Sequence, residues 1–158
     1  MNLASLGDEG RIASEYLRSH RTKIGFWRVR KSVGAFWTFL GTVHLNTYYY
    51  SRNTDANDIG LLTLLVHEAR HLQQGVFLAF SVYGELEAWQ LQFRLYHQLT
   101  GELPHPAIAE LLSLPLVYDR AVLYRARDLM RAFAGKGYRV DLLPLFPLGR
   151  EIRYWLKL

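Results

Sequence analysis

The sequence predicts an α+β fold, with a short antiparallel or mixed β-sheet near the start of the chain and helices after it. Residues 35–50 are rich in aromatic and β-branched side chains, which favour extended strands. Residues 57–99 contain no proline and carry apolar side chains at helical spacing. Because the strands are grouped before the helices instead of alternating with them, the pattern is typical of α+β proteins.

The other elements follow from the same periodicities and from turn residues. Gly41 interrupts a strand-like stretch and indicates a bulge or a bend. The tail, 138–158, is expected to pack over the body without a regular element. The predicted helices are 9–20, 57–74, 82–99, 106–112 and 116–133, and the predicted strands are 24–31, 35–40 and 42–50, the last two forming one long or two short strands.

Composition restricts the class of protein and the chemistry open to it. The chain has 158 residues, half of them apolar, which is enough for one domain with a core. It has no cysteine, so disulfides and thiolate metal ligands are excluded. No apolar stretch reaches the roughly 18 residues of a membrane span, and residues 1–23 lack the apolar region of a signal peptide. We therefore expect a cytoplasmic protein without a transmembrane segment.

The chain is basic, with a net charge of +5 and a pI of about 9.6. The basic residues are concentrated in 18–31 and 120–139. A positive net charge affects solubility and non-specific binding, and no nucleic-acid-binding sequence motif accompanies it here. We therefore expect no specific binding of nucleic acid.

The strongest motif is His67-Glu68-Ala69-Arg70-His71, an HExxH sequence inside the predicted helix 57–74. Two histidines four residues apart lie on the same helical face, so both imidazoles can reach one metal ion. Glu68 stands beside them as a general base for hydrolysis by metal-activated water. A shuffled sequence of this composition would contain the motif roughly 0.01 times, so chance is a weak explanation.

A catalytic zinc site usually has three protein ligands, so a third is required. The next predicted helix offers Glu85 and Glu87, which lie about 200° apart around the helix axis, so only one can face the motif. Gly84 and Ala88 are small and lie on nearly the same side as Glu85, which favours close helix approach there. We predict Glu85 as the third metal ligand, with Glu87 as the alternative.

These residues resemble the gluzincin group of zinc metallopeptidases, which carry HExxH on one helix and a glutamate ligand on the next. Glu85-x-x-Ala88 is similar to the glutamate helix of the prenyl-protein and heat-shock membrane peptidases, although Trp89 stands where those often have aspartate. Gln74 extends the motif to HExxHxxQ, which is similar to small bacterial zincin-like domains. The resemblance covers about 43–92.

The resemblance implies a zincin-like fold and a Zn²⁺ cofactor held by His67, His71 and Glu85. It implies that Glu68 takes a proton from the zinc-activated water that attacks a peptide carbonyl and passes it to the leaving nitrogen. It also implies an edge strand that pairs with an extended peptide or protein substrate, for which 41–46 is the predicted segment.

A second donor to the developing oxyanion is normally needed. Tyr83, His44 and His97 are the candidates, together with the tyrosine run 48–50, and the sequence does not choose among them. Another open alternative is that the apolar tail segment 142–148 covers the cleft and inhibits the site.

We therefore expect a single zincin-like metallopeptidase domain over 1–158. It would comprise an N-terminal helix and sheet over 1–56, metal-binding helices over 57–100, and C-terminal helices and tail over 101–158. The alternative function is a catalytically weak or inactive metal-binding regulatory protein that binds a protein segment. The sequence leaves the oligomeric state open.

Overall fold

The computed structural model describes residues 2–156 and confirms the α+β class, with a small mixed sheet and helices. No helix within these residues is long and apolar enough to cross a membrane. The elements in chain order are α1 (Asp8–Ser19), β1 (Lys23–Trp27), β2 (Ala35–Trp37), β3 (Thr42–Asn46), α2 (Ile59–Gln74), α3 (Val76–Ala79), α4 (Val82–Thr100), α5 (Pro106–Ser113), α6 (Arg120–Ala134) and α7 (Leu148–Leu156).

The three strands form a sheet in the order β1-β3-β2, so the last strand in sequence lies in the middle. β1 is parallel to β3, with Ile24 opposite Val43, and β2 is antiparallel to β3, with Phe36 opposite His44. Gly41, at φ 73°, makes the turn between β2 and β3. The predicted bend at this glycine is therefore confirmed, and it divides the stretch into two short strands.

β1 ends at Trp27, four residues before the predicted end of the strand, because the following loop is held by the side chain of Asn46. This amide is fully buried and donates to the carbonyls of Arg30 and Val33 at 3.0 and 2.7 Å. Its oxygen accepts from the N–H of Val29 at 3.3 Å. These bonds satisfy loop groups that a longer strand would have paired.

The two long helices begin and end where their capping residues are placed. Asp58 starts α2 by accepting from the N–H of Leu61 at 2.7 Å, and Gly75 ends it at φ 72°. Ser81 caps α4 in the same way, and Gly101 terminates it in the left-handed conformation. Both predicted helices are thus confirmed to within two residues.

Two C-terminal predictions are wrong in detail. α6 begins at Arg120 instead of residue 116, because Asp119 caps it by accepting from the N–H of Val122 at 2.9 Å. The tail contains a regular element, since Leu148–Leu156 is helical. Pro147 precedes this helix, and its carbonyl accepts hydrogen bonds from the backbone N–H groups of Arg150 and Glu151 in the first turn.

α2 and α4 are the central pair of helices, and each faces a different part of the core. α2 packs against α1 through Leu62 and Val66, and the sheet covers its other side at Leu61. α4 buries Leu86 against α5, α6 and the tail. The face shared by α2 and α4 is where the HExxH histidines and the glutamate helix meet.

Replacing Gly84 by alanine is expected to lower the free energy of unfolding by about 1–2 kcal/mol. A Cβ at this position would lie 2.2 Å from the carbonyl oxygen of Leu78, so α3 would have to move. The three atoms nearest to this Cβ all belong to α3, so the packing of α3 requires the glycine. Urea denaturation measures the effect.

Gly149→Ala is the matched control, because a Cβ there meets no atom within 4 Å. This variant is expected to be neutral or slightly stabilising, since alanine favours helix over glycine. An equal response of the two variants would show that the contact between Gly84 and α3 is not a constraint.

Candidate metal centre

His67, His71 and Glu85 meet between α2 and α4. Each offers one ligand atom, and the three atoms lie within 4.8 Å of one another. The two Nε2 atoms of the histidines are 2.9 Å apart, and Nε2 of His71 is 3.5 Å from Oε1 of Glu85. The structure therefore brings together the predicted ligand set, with Glu85 and not Glu87 facing the histidines.

These distances and donor atoms fit a metal ion. Ligands at about 2.0–2.1 Å from a tetrahedral Zn²⁺ lie about 3.3 Å from each other. The measured separations of 2.9 and 3.5 Å lie on either side of that value.

His71 is oriented by a chain of hydrogen bonds that begins with Gln74, the last residue of the HExxHxxQ pattern. Nδ1 of His71 is 3.0 Å from Oε1 of Gln74, which places the proton on Nδ1 and leaves Nε2 free as a ligand. The amide of Gln74 donates to Glu87 at 2.8 Å, and Arg70 donates to the other oxygen of Glu87 at 2.5 Å. Glu87 therefore supports a ligand from outside the site.

His67 is buried and kept neutral. Burial, followed by the proximity of His71, moves the pKa of His67 well below its ordinary value. The Ala88 carbonyl and the Gln92 side chain act in the opposite direction but do not outweigh burial. Nδ1 of His67 makes no hydrogen bond of normal geometry with the residues described. A neutral imidazole is the form that binds a metal.

Glu68 lies beside the ligands and is 3% exposed. Burial, followed by the negative charge of Glu85, raises the pKa of Glu68 well above its ordinary value, and a hydrogen bond from the Trp37 backbone offsets only part of this. Its Oε2 has no hydrogen-bond partner within residues 2–156. An unpartnered buried carboxyl oxygen is costly for the fold, and such groups are concentrated at functional sites.

Tyr138 is a site residue that the sequence did not indicate. It follows α6, 53 residues after Glu85, and its hydroxyl donates a short hydrogen bond to Oε2 of Glu85. Trp89 donates to the same carboxylate oxygen at 3.1 Å and to the Tyr138 oxygen at 2.9 Å. No local periodicity links positions so far apart, so only the folded chain shows this contact.

The candidate metal centre opens into a cleft of about 630 Å³. Its walls come from the loop before β2, from β2 itself, from α2 and α4, and from the end of α6. Ten of the 25 lining residues are aromatic, and they include Trp37, Tyr50, Trp89, Phe93, Phe133 and Tyr138. A concave apolar site with a few converging polar groups is the usual form of a ligand-binding site.

The three predicted oxyanion donors lie elsewhere and do not line this cleft. Tyr83 stacks on Tyr118 with ring centroids 4.3 Å apart. His44 stacks on Phe36 in the sheet. His97 lies in the last turn of α4, three turns from Glu85. Within the tyrosine run 48–50, the second and third residues line the cleft.

The predicted substrate-pairing strand, 41–46, is wrong because β3 occupies the centre of the sheet and is paired on both sides. β2 is the edge strand that borders the cleft. The backbones of Gly34 and Thr38 pair with β3, so the alternation of an antiparallel ladder turns the backbone groups of Ala35 and Trp37 toward the opposite edge. Both residues line the cleft.

The apolar tail does not cover the site. No residue of 142–148 lines the cleft. Instead the carbonyls of Pro144 and Leu145 accept from the N–H groups of Val82 and Tyr83 at 2.9 and 3.2 Å, which satisfies two free donors at the start of α4. The tail is therefore a structural support for the glutamate helix.

The chain was compared with protein-family models, curated proteins and solved structures. No protein-family model, no curated protein and no solved structure matched the chain.

Proposed function

We propose that this protein is a zinc-dependent metallopeptidase in which His67, His71 and Glu85 hold the metal and Glu68 is the general base. The observation that carries the proposal is the buried carboxyl of Glu68, whose second oxygen is unpartnered beside three metal-ligating atoms. A structural carboxyl would be expected to find donors for both oxygens.

The metal would supply Lewis acidity, polarising a carbonyl and lowering the pKa of a water molecule. Zinc suits two neutral imidazoles and one carboxylate with an open position, and the absence of cysteine removes the thiolate alternatives. Proton transfer is carried out by a residue of the chain. Glu68 accepts the proton of the attacking water and delivers it to the leaving nitrogen.

An extended peptide is the substrate that the cleft supports best. Outward-facing backbone groups at Ala35 and the carbonyl of Trp37 are available for pairing with a peptide backbone, as in β-strand addition. The same strand points the Trp37 N–H at Glu68, so a peptide paired along β2 would pass the general base. The aromatic walls favour apolar side chains on that peptide.

Zinc-loaded protein is expected to cut an unstructured substrate such as denatured casein, and to lose this activity when the metal is removed with a chelator. Mass spectrometry of the new termini measures cleavage, and adding zinc back is expected to restore it. A Glu68→Gln sample prepared in parallel controls for contaminating proteases.

Each other result has a distinct meaning. Tight zinc binding without cleavage of denatured proteins would favour the alternative of a metal-binding regulatory protein. Absence of zinc binding, even after zinc is added back, would mean that the two histidines are structural and that the enzymatic proposal is wrong.

A further inference from the structure

We propose that Tyr138, acting with Trp89, is the positioning residue of the third metal ligand, Glu85. The inference rests on the proposed metal site and assigns a role to the C-terminal segment. Glu85 presents its two oxygens in different directions. Oε1 faces His71, while Oε2 is held by the two neutral donors.

The hydrogen bonds form a closed and consistent set. The indole N–H of Trp89 donates both to Oε2 of Glu85 and to the oxygen of Tyr138, and the single hydroxyl proton of Tyr138 is then directed to Glu85. A tyrosine hydroxyl is protonated at neutral pH, so the phenol is available as a donor.

Neutral donors suit a carboxylate that must keep its charge for a metal. Among the ion pairs of residues 2–156, the only basic partner of Glu85 is His71, and no lysine or arginine neutralises it. An arginine at the position of Tyr138 would compete with the metal for that charge. Two neutral donors fix the orientation of the carboxylate and leave its charge available.

The hydroxyl is delivered by a segment that is itself anchored. The carbonyl of Gly137 accepts from Arg30 at 3.1 Å, and a Cβ at Gly137 would lie 2.6 Å from Oγ of Ser32. On the other side, Val140 is buried in the core. Tyr138 is thus held between the loop before β2 and the body of helices, and metal affinity is coupled to residues that the HExxH motif does not include.

Tyr138→Phe tests the assignment because it removes one hydroxyl and keeps the ring. Its zinc dissociation constant, measured by competition with a colorimetric chelator, is expected to rise about 10–100-fold, as is typical when an outer partner of a ligand is lost. Tyr96→Phe is the matched control, since Tyr96 lines the same cleft and makes no hydrogen bond to Glu85. We expect its zinc affinity to stay within about twofold of wild type.

A double-mutant cycle separates positioning from a general loss of structure. If Tyr138 acts through Glu85, the Tyr138→Phe change is expected to have no further effect on the residual zinc affinity of Glu85→Ala. An equal loss in both backgrounds would overturn the inference, as would an unchanged affinity in Tyr138→Phe alone. Trp89→Phe, which removes the second donor, is expected to weaken binding in the same direction and serves if Tyr138→Phe does not fold.

The outcome also distinguishes this inference from the proposed function. If wild type binds zinc and cuts peptides while Tyr138→Phe binds zinc equally well, only the positioning role is wrong. If wild type binds no zinc, both proposals are wrong. Thermal unfolding of the metal-free variants measures their stability independently of zinc. A positioning role predicts that Tyr138→Phe loses more free energy of zinc binding than free energy of unfolding.

Discussion

Glu85→Ala is expected to strip zinc from the protein, whereas Glu87→Ala is expected to keep it with weaker affinity. Glu85 lies 3.5 Å from the ligand nitrogen of His71, so its removal leaves two ligands. Within residues 2–156, the hydrogen bonds of the Glu87 carboxylate go to Gln74 and Arg70, outside the three candidate ligands. Loss of a ligand should lower the affinity by more than the 10–100-fold typical of outer residues.

Elemental analysis of protein purified without a polyhistidine tag gives the measurement. About one zinc per chain is expected in wild type and in Glu87→Ala at saturating zinc, and almost none in Glu85→Ala after dialysis. Equal zinc loss in both variants would place the third ligand in doubt. Retention of zinc in Glu85→Ala would show that the two histidines bind the metal with a different partner.

The difference between Glu85 and Glu87 also shows how much of the candidate site can be predicted from the sequence. Both residues belong to one helix, and a rotation of about 100° per residue is enough to decide that they point in different directions. The position of His67 relative to His71 follows from the same geometry. Local periodicity therefore predicted which three side chains come together, because each choice depended on residues within one helical segment.

Contacts between distant segments could not be predicted in this way. Tyr138 reaches Glu85 across 53 residues, and nothing in the glycine-rich sequence around it indicates a site. The order of the strands in the sheet could not be predicted for the same reason. Which of β2 and β3 lies at the edge depends on the parallel pairing of β1 with β3, and pairing partners are not encoded in the alternation of a single strand.

The oxyanion candidates could not be placed from the sequence either. Tyr83 lies two residues before Glu85, and two residues along a helix point in nearly opposite directions. Its ring stacks on Tyr118, away from the cleft. His44 lies in β3, where its ring stacks on Phe36. Residue type and proximity in sequence are poor guides where the site is built from several elements.

Glu68→Gln is expected to abolish most of the proposed peptidase activity and to leave the proposed zinc site intact. Glutamine has the same shape but cannot accept the proton of the attacking water, and a positioned general base contributes about 10²–10⁴-fold to the rate. Zinc content should stay at the wild-type value, because none of the ligand atoms belongs to Glu68. Initial rates on an unstructured peptide, measured beside zinc content, give both quantities.

The same variant separates a catalytic carboxyl from a structural one. Glu68 is buried beside Glu85 with one oxygen unpartnered, so holding this carboxyl in the site destabilises the metal-free fold at neutral pH. Replacing it by neutral glutamine is expected to raise the free energy of unfolding of the metal-free protein by about 0.5–2 kcal/mol, as when a strained site residue is relieved. A lower stability in Glu68→Gln would mean that the carboxyl supports the fold. Higher stability together with lost activity is the combination that a catalytic role predicts and a purely structural carboxyl does not.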